Sequence, residues 1–128
     1  MSGLLLDTHA FLWLMLDDPR VPVPVRAQVL GAEAIYVSAA SAWEIRTKYR
    51  LGKLPEAGPY VAHLAAAVRR AGFQPLPVTF DDGDLAGSLT AAHKDPFDRM
   101  LAAQALTHRL ALVSNDAALD VFGIVRIW

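Results

Sequence analysis

Residues 3–16 have the sequence GLLLDTHAFLWLML, and the prediction of the fold class begins from this stretch. The apolar run from Gly3 to Leu6 predicts a buried strand that ends at Asp7. Ala10 to Leu16 predicts a helix, which Asp7 or Thr8 can cap, because both side chains accept hydrogen bonds from free amides at a helix start. The stretch is therefore a β-strand followed directly by an α-helix.

The alternation of strands and helices continues along the chain. Further strands are predicted at Ile35–Val37, at Leu76 and Val78 on or near a sheet edge, at Leu110–Val113 and at Ile124–Ile127. Helices are predicted at Val25–Leu30, Ala39–Tyr49, from Gly58 to Gly72, at Asp82–Thr90, at Asp95–His108 and after Asn115 or Asp116. Short strands that are apolar on both faces and are joined by helices indicate a parallel sheet covered on both sides.

We therefore predict the α/β class, as a three-layer α/β/α sandwich with a mostly parallel central sheet. Residues 1–128 are predicted to form a single domain, since the sequence has no internal repeat, low-complexity tract or shift in composition.

The composition narrows the range of functions. The chain has 128 residues, and 54% of them are hydrophobic, which excludes a disordered chain. It has no cysteine, which excludes thiol catalysis and thiolate metal sites. The longest apolar run, Ala10–Leu16, is far short of the roughly 20 residues that span a bilayer. Met1–Leu6 carries no basic residue and does not resemble a signal peptide. We expect a cytoplasmic protein without a membrane partner.

The charge pattern favours only local contacts with nucleic acid. The net charge is −1, whereas a domain that coats nucleic acid is usually strongly basic. One basic cluster stands out, because four cations fall within eight residues without an acid: Arg46, Lys48, Arg50 and Lys53. The cluster is either a site for a phosphate backbone or an ordinary exposed helix face.

Four acids occupy positions where a packed α/β domain usually has other residues. Asp7 and Asp116 follow predicted strands, and ligand sites gather at the carboxyl edge of parallel sheets. Glu44 lies inside an apolar helix, and Asp98 lies in the first turn of another. Carboxylates brought together repel one another, and a divalent cation removes that cost. An all-oxygen ligand set suits Mg²⁺, with Mn²⁺ as a substitute.

Each of these acids also has a purely structural explanation. Asp7 and Asp116 can be helix caps. Asp98 can complement the dipole of its helix, and Glu44 can pair with Lys48 one turn later.

The neighbouring residues are assigned mainly to structure. Asp95 comes directly before Pro96, which is the order expected for a cap followed by proline at the first helical position. This leaves Asp98 free to face a site. His9 and His93 show no metal-type spacing, so we expect them to bond to the backbone or to shape the rim of the site rather than to bind metal.

Four segments carry a resemblance to a known family. They are LLLDTHAFLW at 4–13, SAASAWEI at 38–45, HKDPFDRMLAAQA at 93–105 and LVSND at 112–116. Together and in this order they resemble the PIN-domain ribonucleases, and more narrowly the VapC-type toxins of bacterial type II toxin–antitoxin pairs. The four segments extend over nearly the whole chain.

The resemblance implies a set of residues and a reaction. The residues that match the family's quartet of acids around Mg²⁺ are Asp7, Glu44, Asp98 and Asp116. The implied reaction is cleavage of an RNA phosphodiester by metal-activated water. Hydrogen bonds to the ligands or to water are expected from Thr8, Ser114 and Asn115, and contacts to phosphate from Arg46 and Lys48, with Arg50 and Lys53 as further candidates.

The resemblance also implies two protein partners: a cognate antitoxin, whose tail lies in a groove near the active site, and a second copy of the chain. The segment Phe11–Leu16 is apolar around the whole helix, which is more than contact with one sheet requires. We expect part of it, Trp13 in particular, to lie at a protein interface. Packing in the core is the alternative.

Other classes of protein fit less well. A receiver-type signalling domain resembles a pattern with two adjacent acids after the first strand and a lysine after the last, but Thr8 follows Asp7 and no lysine follows Ile127. A haloacid-dehalogenase-type phosphatase requires a second aspartate at the position of His9. A catalytically silent PIN-like binding protein stays open as the alternative, although the complete quartet argues against it.

Overall fold

The computed structural model describes residues 3–128. Met1 and Ser2 lie outside the described residues, although the predicted domain and the predicted absence of a signal peptide both include them. The strands are β1 (Gly3–Leu6), β2 (Ala34–Ser38), β3 (Gln74–Leu76), β4 (Ala111–Val113) and β5 (Arg126–Ile127). The helices are α1 (Thr8–Met15), α2 (Val23–Gly31), α3 (Ala39–Arg50), α4 (Gly58–Val61), α5 (Leu64–Arg70), α6 (Phe80–Ser88) and α7 (Pro96–His108). Short 3₁₀ turns lie at Pro55–Ala57 and Ala117–Phe122.

The strands form one sheet in the order β3-β2-β1-β4-β5, and each pairing between them is parallel. The predicted α/β class with a mostly parallel sheet is therefore confirmed. Leu6 at the end of β1 is aligned with Val37 on β2 and Val113 on β4. The residues that follow these positions consequently meet at one edge of the sheet.

Helices cover both faces of the sheet, which confirms the three-layer sandwich. On one face Leu4 and Leu6 pack among the apolar side chains of α1, α2, α3 and α5. On the other face Leu5 and Leu112 pack against α7 and the 3₁₀ turn after β4. Alternate side chains of β1 thus pack against the helices on opposite faces of the sheet, as expected for a strand buried on both sides. Within residues 3–128, no helix combines the length and the apolar character needed to cross a membrane.

The predicted continuous helix from Gly58 to Gly72 is wrong in its middle. The structure has two short helices there, because His63 leaves the helical region of backbone space at φ −145°. The carbonyl of Val61 accepts a hydrogen bond from Arg46 over 2.6 Å instead of continuing the helical ladder. Gly72 does end α5 as predicted, with a φ of +82° that favours glycine.

Several other helix and strand boundaries differ from the predictions by one or two residues. Helix α6 begins at Phe80 rather than Asp82, because Thr79 and Asp82 form a reciprocal capping box that the sequence analysis missed. Strand β3 ends at Leu76, before Val78, because its partner strand β2 ends at Ser38, the residue paired with Leu76. Strand β5 has only two residues, Arg126 and Ile127, which pair with Leu112 and Val113 of β4.

The predicted interface at Trp13 is wrong. Trp13 is only 7% exposed and is covered within the chain, by the ring of Trp128 at 5.7 Å and the guanidinium of Arg20 at 4.4 Å. On the same helix, the carbonyl of Met15 accepts a hydrogen bond from the Tyr60 hydroxyl. Phe11, Leu12 and Trp13 are therefore buried within this chain, whereas Leu14 and Met15 are half-buried and Leu16 is exposed.

A buried side-chain amide on α7, that of Gln104, bonds to the N-terminal end of α6 and to the residue Pro77 before it. Gln104 is fully buried, and its Nε2 donates to the carbonyl of Pro77 over 3.0 Å and to Asp82 Oδ2 over 3.2 Å. Asp82 is itself buried and holds the N-terminus of α6 together with Thr79. Buried polar groups are costly without such partners.

Replacement of Gln104 by alanine should therefore lower the free energy of unfolding by about 2–4 kcal/mol, since it leaves a cavity and removes a partner from the buried Asp82. Urea unfolding at neutral pH measures the change. The matched control is Gln28→Ala on the exposed surface of α2, which should change stability by less than about 0.5 kcal/mol. An equally small effect at Gln104 would contradict this role.

Candidate active site

An acidic cavity of about 460 Å³ opens at the carboxyl edge of the sheet. It is lined by Asp7, Thr8, His9, Trp13, Glu44, Lys48, Asp95, Asp98, Asn115 and Asp116. All four carboxylates that the sequence analysis singled out, Asp7, Glu44, Asp98 and Asp116, therefore border one space. Five carboxyl groups and one lysine line the cavity, so its charge is strongly negative when the acids are ionised.

Asp7 lies where β1 passes into α1. Its amide donates to the carbonyl of Val113 on β4, and its Oδ1 accepts from the amide of Ala10 over 2.7 Å. The side chain is only 7% exposed. Burial raises the pKa of Asp7 to about 6, although the Ser114 hydroxyl and the Ala10 amide favour the charged form, and the charge of Asp98 raises it further. Asp7 is thus both the predicted cap and a buried carboxylate of the cavity.

Glu44 projects from α3 into the same cavity and is almost fully buried. Its Oε1 accepts a hydrogen bond from the Thr8 hydroxyl over 2.5 Å, and Thr8 also lies 3.1 Å from Ser41 Oγ. Its Oε2 is paired with the ammonium of Lys48, which confirms the predicted pairing one helical turn apart. Burial disfavours the charged Lys48, but the bond to Glu44 outweighs this and raises the pKa of Lys48.

Asp98 lies in the first turn of α7, after the cap that Asp95 forms with the amides of Phe97 and Asp98. The capping role predicted for Asp95 is confirmed. His93 Nε2 hydrogen-bonds to Asp98 Oδ2 over 2.9 Å. Burial raises the pKa of Asp98, the bond to His93 opposes the rise, and the nearby Asp95 charge adds to it. His93 is therefore a neighbour of the site, but its ring bonds to an acid of the cavity rather than to the backbone.

Asp116 approaches the cavity from the segment after β4. Its side chain is exposed and accepts from the amide of Ala118, so the structure confirms the predicted cap. The buried Ser114 hydroxyl accepts from the amide of Asp116 over 3.0 Å. Asn115 lies between them and lines the cavity, whereas Ser114 supports the cavity wall from below.

Each carboxylate of the quartet is bonded to a protein group in this arrangement. Within residues 3–128, no group of three or more Asp, Glu or His side chains is arranged so that it could hold a metal ion as it stands. The donor set is nevertheless the oxygen-rich one that Mg²⁺ and Mn²⁺ prefer. One lysine cannot balance the acids of the cavity, so a divalent cation suits its charge.

The basic cluster is divided by the structure. Lys48 lines the cavity, but Arg46 is exposed and bonds to the carbonyl of Val61, outside the cavity lining. Arg50 is exposed at the last position of the same helix, and Lys53 is exposed beyond its end. His9 lines the cavity beside Trp13, as expected for a residue at the rim.

Sequence reasoning missed Arg99, whose guanidinium bonds to four backbone carbonyls next to the cavity. Its position directly after Asp98 is the only feature of the sequence that could have drawn attention to it. The spacing of residues does not show that its guanidinium bonds to the backbone carbonyls of residues 86–93.

The fold and the cavity define an α/β domain with a carboxylate site at the edge of a parallel sheet. A family model described as the PIN domain matches residues 4–124. This match covers nearly the whole chain, and the chain belongs to the PIN domain family.

The chain is similar to several characterised or solved proteins. It is 51% identical over 45 residues to Ribonuclease VapC16 of Mycobacterium tuberculosis, a match that covers 35% of this chain and 32% of that protein. The chain therefore matches only about a third of the length of that relative.

Two solved structures share its fold at low sequence identity. A DNA-bound VapBC from Salmonella typhimurium has a TM-score of 0.72 and 18% identity, covering 100% of this chain and 98% of the other. A toxin–antitoxin complex from Klebsiella pneumoniae has a TM-score of 0.58 and 16% identity, covering 88% and 86%. Identities this low support the fold alone.

The raised pKa of Asp7 predicts how stability depends on pH in the absence of divalent metal. Between about pH 4 and pH 6 the folded chain keeps a proton on Asp7 that the unfolded chain has lost, so the free energy of unfolding falls as the pH rises through this window. Asp7→Asn removes this loss and should be more stable than wild type by about 2–3 kcal/mol at pH 7.5.

Urea unfolding in EDTA at pH 4 and pH 7.5 measures the difference. The two proteins should be nearly equal at pH 4, where Asp7 is protonated in the folded state. The control Asp84→Asn alters an exposed acid on α6 and should behave like wild type at both values. A stability difference between Asp7→Asn and wild type that did not grow between pH 4 and pH 7.5 would show that burial does not penalise the Asp7 charge.

Proposed function

We propose that the chain is a Mg²⁺-dependent endoribonuclease that acts in the cytoplasm as the toxin of a toxin–antitoxin pair. The observation that carries the proposal is the acidic cavity, in which Asp7, Glu44, Asp98 and Asp116 meet at the carboxyl edge of the sheet. A cavity of this charge requires cations, and metal-dependent cleavage of phosphodiesters uses carboxylates to hold them.

The quartet of acids fits Mg²⁺, with Mn²⁺ as a substitute. Asp7 and Asp98 would hold the ion, and Glu44 and Asp116 would contribute directly or through water. A bound divalent ion supplies activation of the attacking water and neutralisation of charge that develops on the phosphate. The raised pKa values of Asp7 and Asp98 support this fit, because burial disfavours the charge of both carboxylates and a bound cation would offset that cost.

The other residues of the cavity hold these acids in place. Thr8 fixes one oxygen of Glu44, and Lys48 neutralises the other. If Glu44 were to hold the cation, the ammonium of Lys48 would be free to contact a phosphate of the RNA within the cavity. Asn115 offers an amide at the rim, and Ser114 holds the backbone that carries Asp116.

The similarities to other proteins support the same proposal. One relative is named a ribonuclease, and one of the structures with this fold is a toxin–antitoxin complex. We extend both properties to this chain, with a cognate antitoxin as its inhibitor and a homodimer as its assembly.

An exposed apolar surface supports a protein partner. An apolar cavity of about 420 Å³ lies between α3, α6 and α7, and its lining includes Trp43, Phe97 and Met100. Trp43 is 61% exposed and meets Phe97 edge-on at 4.8 Å. Exposed apolar patches of this kind mark interaction surfaces.

The proposal predicts the loss of both toxicity and cleavage when an acid of the cavity is removed. Wild type should arrest growth on induction, and the purified protein should cleave RNA with Mg²⁺ or Mn²⁺ but not with EDTA. Asp7→Ala and Asp98→Ala should fold and lose at least about a hundredfold in cleavage rate, since each removes a ligand that the reaction requires. Growth curves and cleavage of labelled total RNA measure these effects.

Asp84→Ala is the matched control, because it removes an exposed acid outside the cavity and should leave cleavage unchanged. Circular dichroism of each variant separates lost chemistry from lost folding. A well-folded wild type that cleaves no RNA and arrests no growth would overturn the proposal in favour of a catalytically silent PIN-like binding protein. Full cleavage by Asp7→Ala would show that the reaction does not require the Asp7 carboxylate.

A further inference from the structure

The guanidinium of Arg99 binds the segment that joins α6 to α7. Its Nε donates to the carbonyl of Ala86 and its Nη2 to that of Leu89, over 2.9 and 2.5 Å. Its Nη1 donates to the carbonyls of Ala91 and His93, each over 2.9 Å. Four of the five N–H donors of the side chain are therefore used on eight consecutive residues.

This use of an arginine differs from an ordinary surface ion pair. Within residues 3–128, Arg99 forms no ion pair with an Asp or Glu, so its charge is directed at backbone dipoles. The carbonyls of Ala86 and Leu89 lie at the C-terminal end of α6, where free carbonyls favour a cation. Arg99 thus closes α6 and fixes the path of the chain that follows it.

The fixed segment ends at His93, which reaches the cavity. The ring of His93 packs edge-on against Phe122 at 5.5 Å, and Arg99 lies over the same Phe122 ring at 5.8 Å. With its carbonyl held by Arg99 and its ring held by Phe122, His93 directs Nε2 at Asp98 Oδ2. The backbone of Asp98 is already fixed by the Asp95 cap, so the contact with His93 sets the direction of the carboxylate.

We propose that Arg99 and His93 are positioning residues for the acidic cavity: Arg99 clamps the segment between α6 and α7, and the clamped His93 orients the Asp98 carboxylate toward the cation site. The proposal rests on the proposed function for the role of Asp98, whereas the clamp itself is a property of the metal-free chain. Partners that orient metal ligands typically contribute ten- to a hundredfold to metal affinity.

Two pairs of variants test the proposal. Arg99→Met removes the donors but keeps a long side chain, and Arg99→Lys restores the charge and part of the hydrogen bonding. His93→Phe keeps a ring to pack on Phe122 but loses the bond to Asp98, and His93→Gln keeps an amide nitrogen near the position of Nε2. Arg70→Met is the control, because Arg70 is an exposed arginine at the end of α5 and does not line the cavity.

The first measurement is the affinity for Mn²⁺, from the electron paramagnetic resonance signal of the free ion. We expect Kd to rise at least about tenfold in Arg99→Met and His93→Phe, to recover in part in Arg99→Lys, and to stay within about threefold of wild type in His93→Gln and Arg70→Met. Unchanged affinity in both Arg99→Met and His93→Phe overturns the proposal, even if both variants are less stable. If Arg99→Met does not fold, the His93 pair decides.

The second measurement uses the protein in EDTA. Arg99→Met should speed hydrogen exchange of the amides of residues 89–94 and shift the ¹⁵N signal of His93 Nε2, while Arg70→Met should do neither. If wild type binds no Mn²⁺, the proposed function fails, and this metal-free measurement then judges the clamp. An unshifted His93 signal in Arg99→Met overturns the proposal.

Discussion

The burial of Asp7 at the end of β1 is the constraint on which the rest of the structure depends. The backbone of Asp7 continues the ladder between β1 and β4, and its carboxylate begins α1. Because β1 is the central strand, a charge at its end is surrounded by protein and cannot be hydrated as it would be at the surface. The surrounding elements therefore supply hydrogen bonds, and the cavity supplies room for a cation.

The same arrangement explains why the other carboxylates are held by partners. Glu44 is paired with Lys48, Asp98 with His93, and Asp116 with a backbone amide, so the metal-free cavity is a network of protein contacts. Such a network keeps several negative charges close together without a metal ion. In the proposed function a divalent cation would take the place of these contacts, and the bond from Thr8 would limit how far the Glu44 side chain must move.

Much of the fold could be predicted from the sequence because its signals are local. Buried strands such as β1 and β4 are short apolar runs, and caps such as Asp7 and Asp95 precede their helices directly. The acids of the cavity could also be located, since parallel strands bring their carboxyl ends to one edge. The break at His63 and the clamp by Arg99 could not, because each depends on a side chain that bonds to a backbone carbonyl more than two helical turns away in sequence.

The most direct test of a cation site formed by these acids is anomalous diffraction from crystals soaked in Mn²⁺. We predict an anomalous peak inside the acidic cavity, with carboxylate oxygens of Asp7 and Asp98 among its ligands, and with Lys48 displaced from Glu44. The peak should be lost in crystals of Asp7→Asn. Saturating Mn²⁺ that bound only outside the cavity, with the contact between Lys48 and Glu44 intact, would contradict the account.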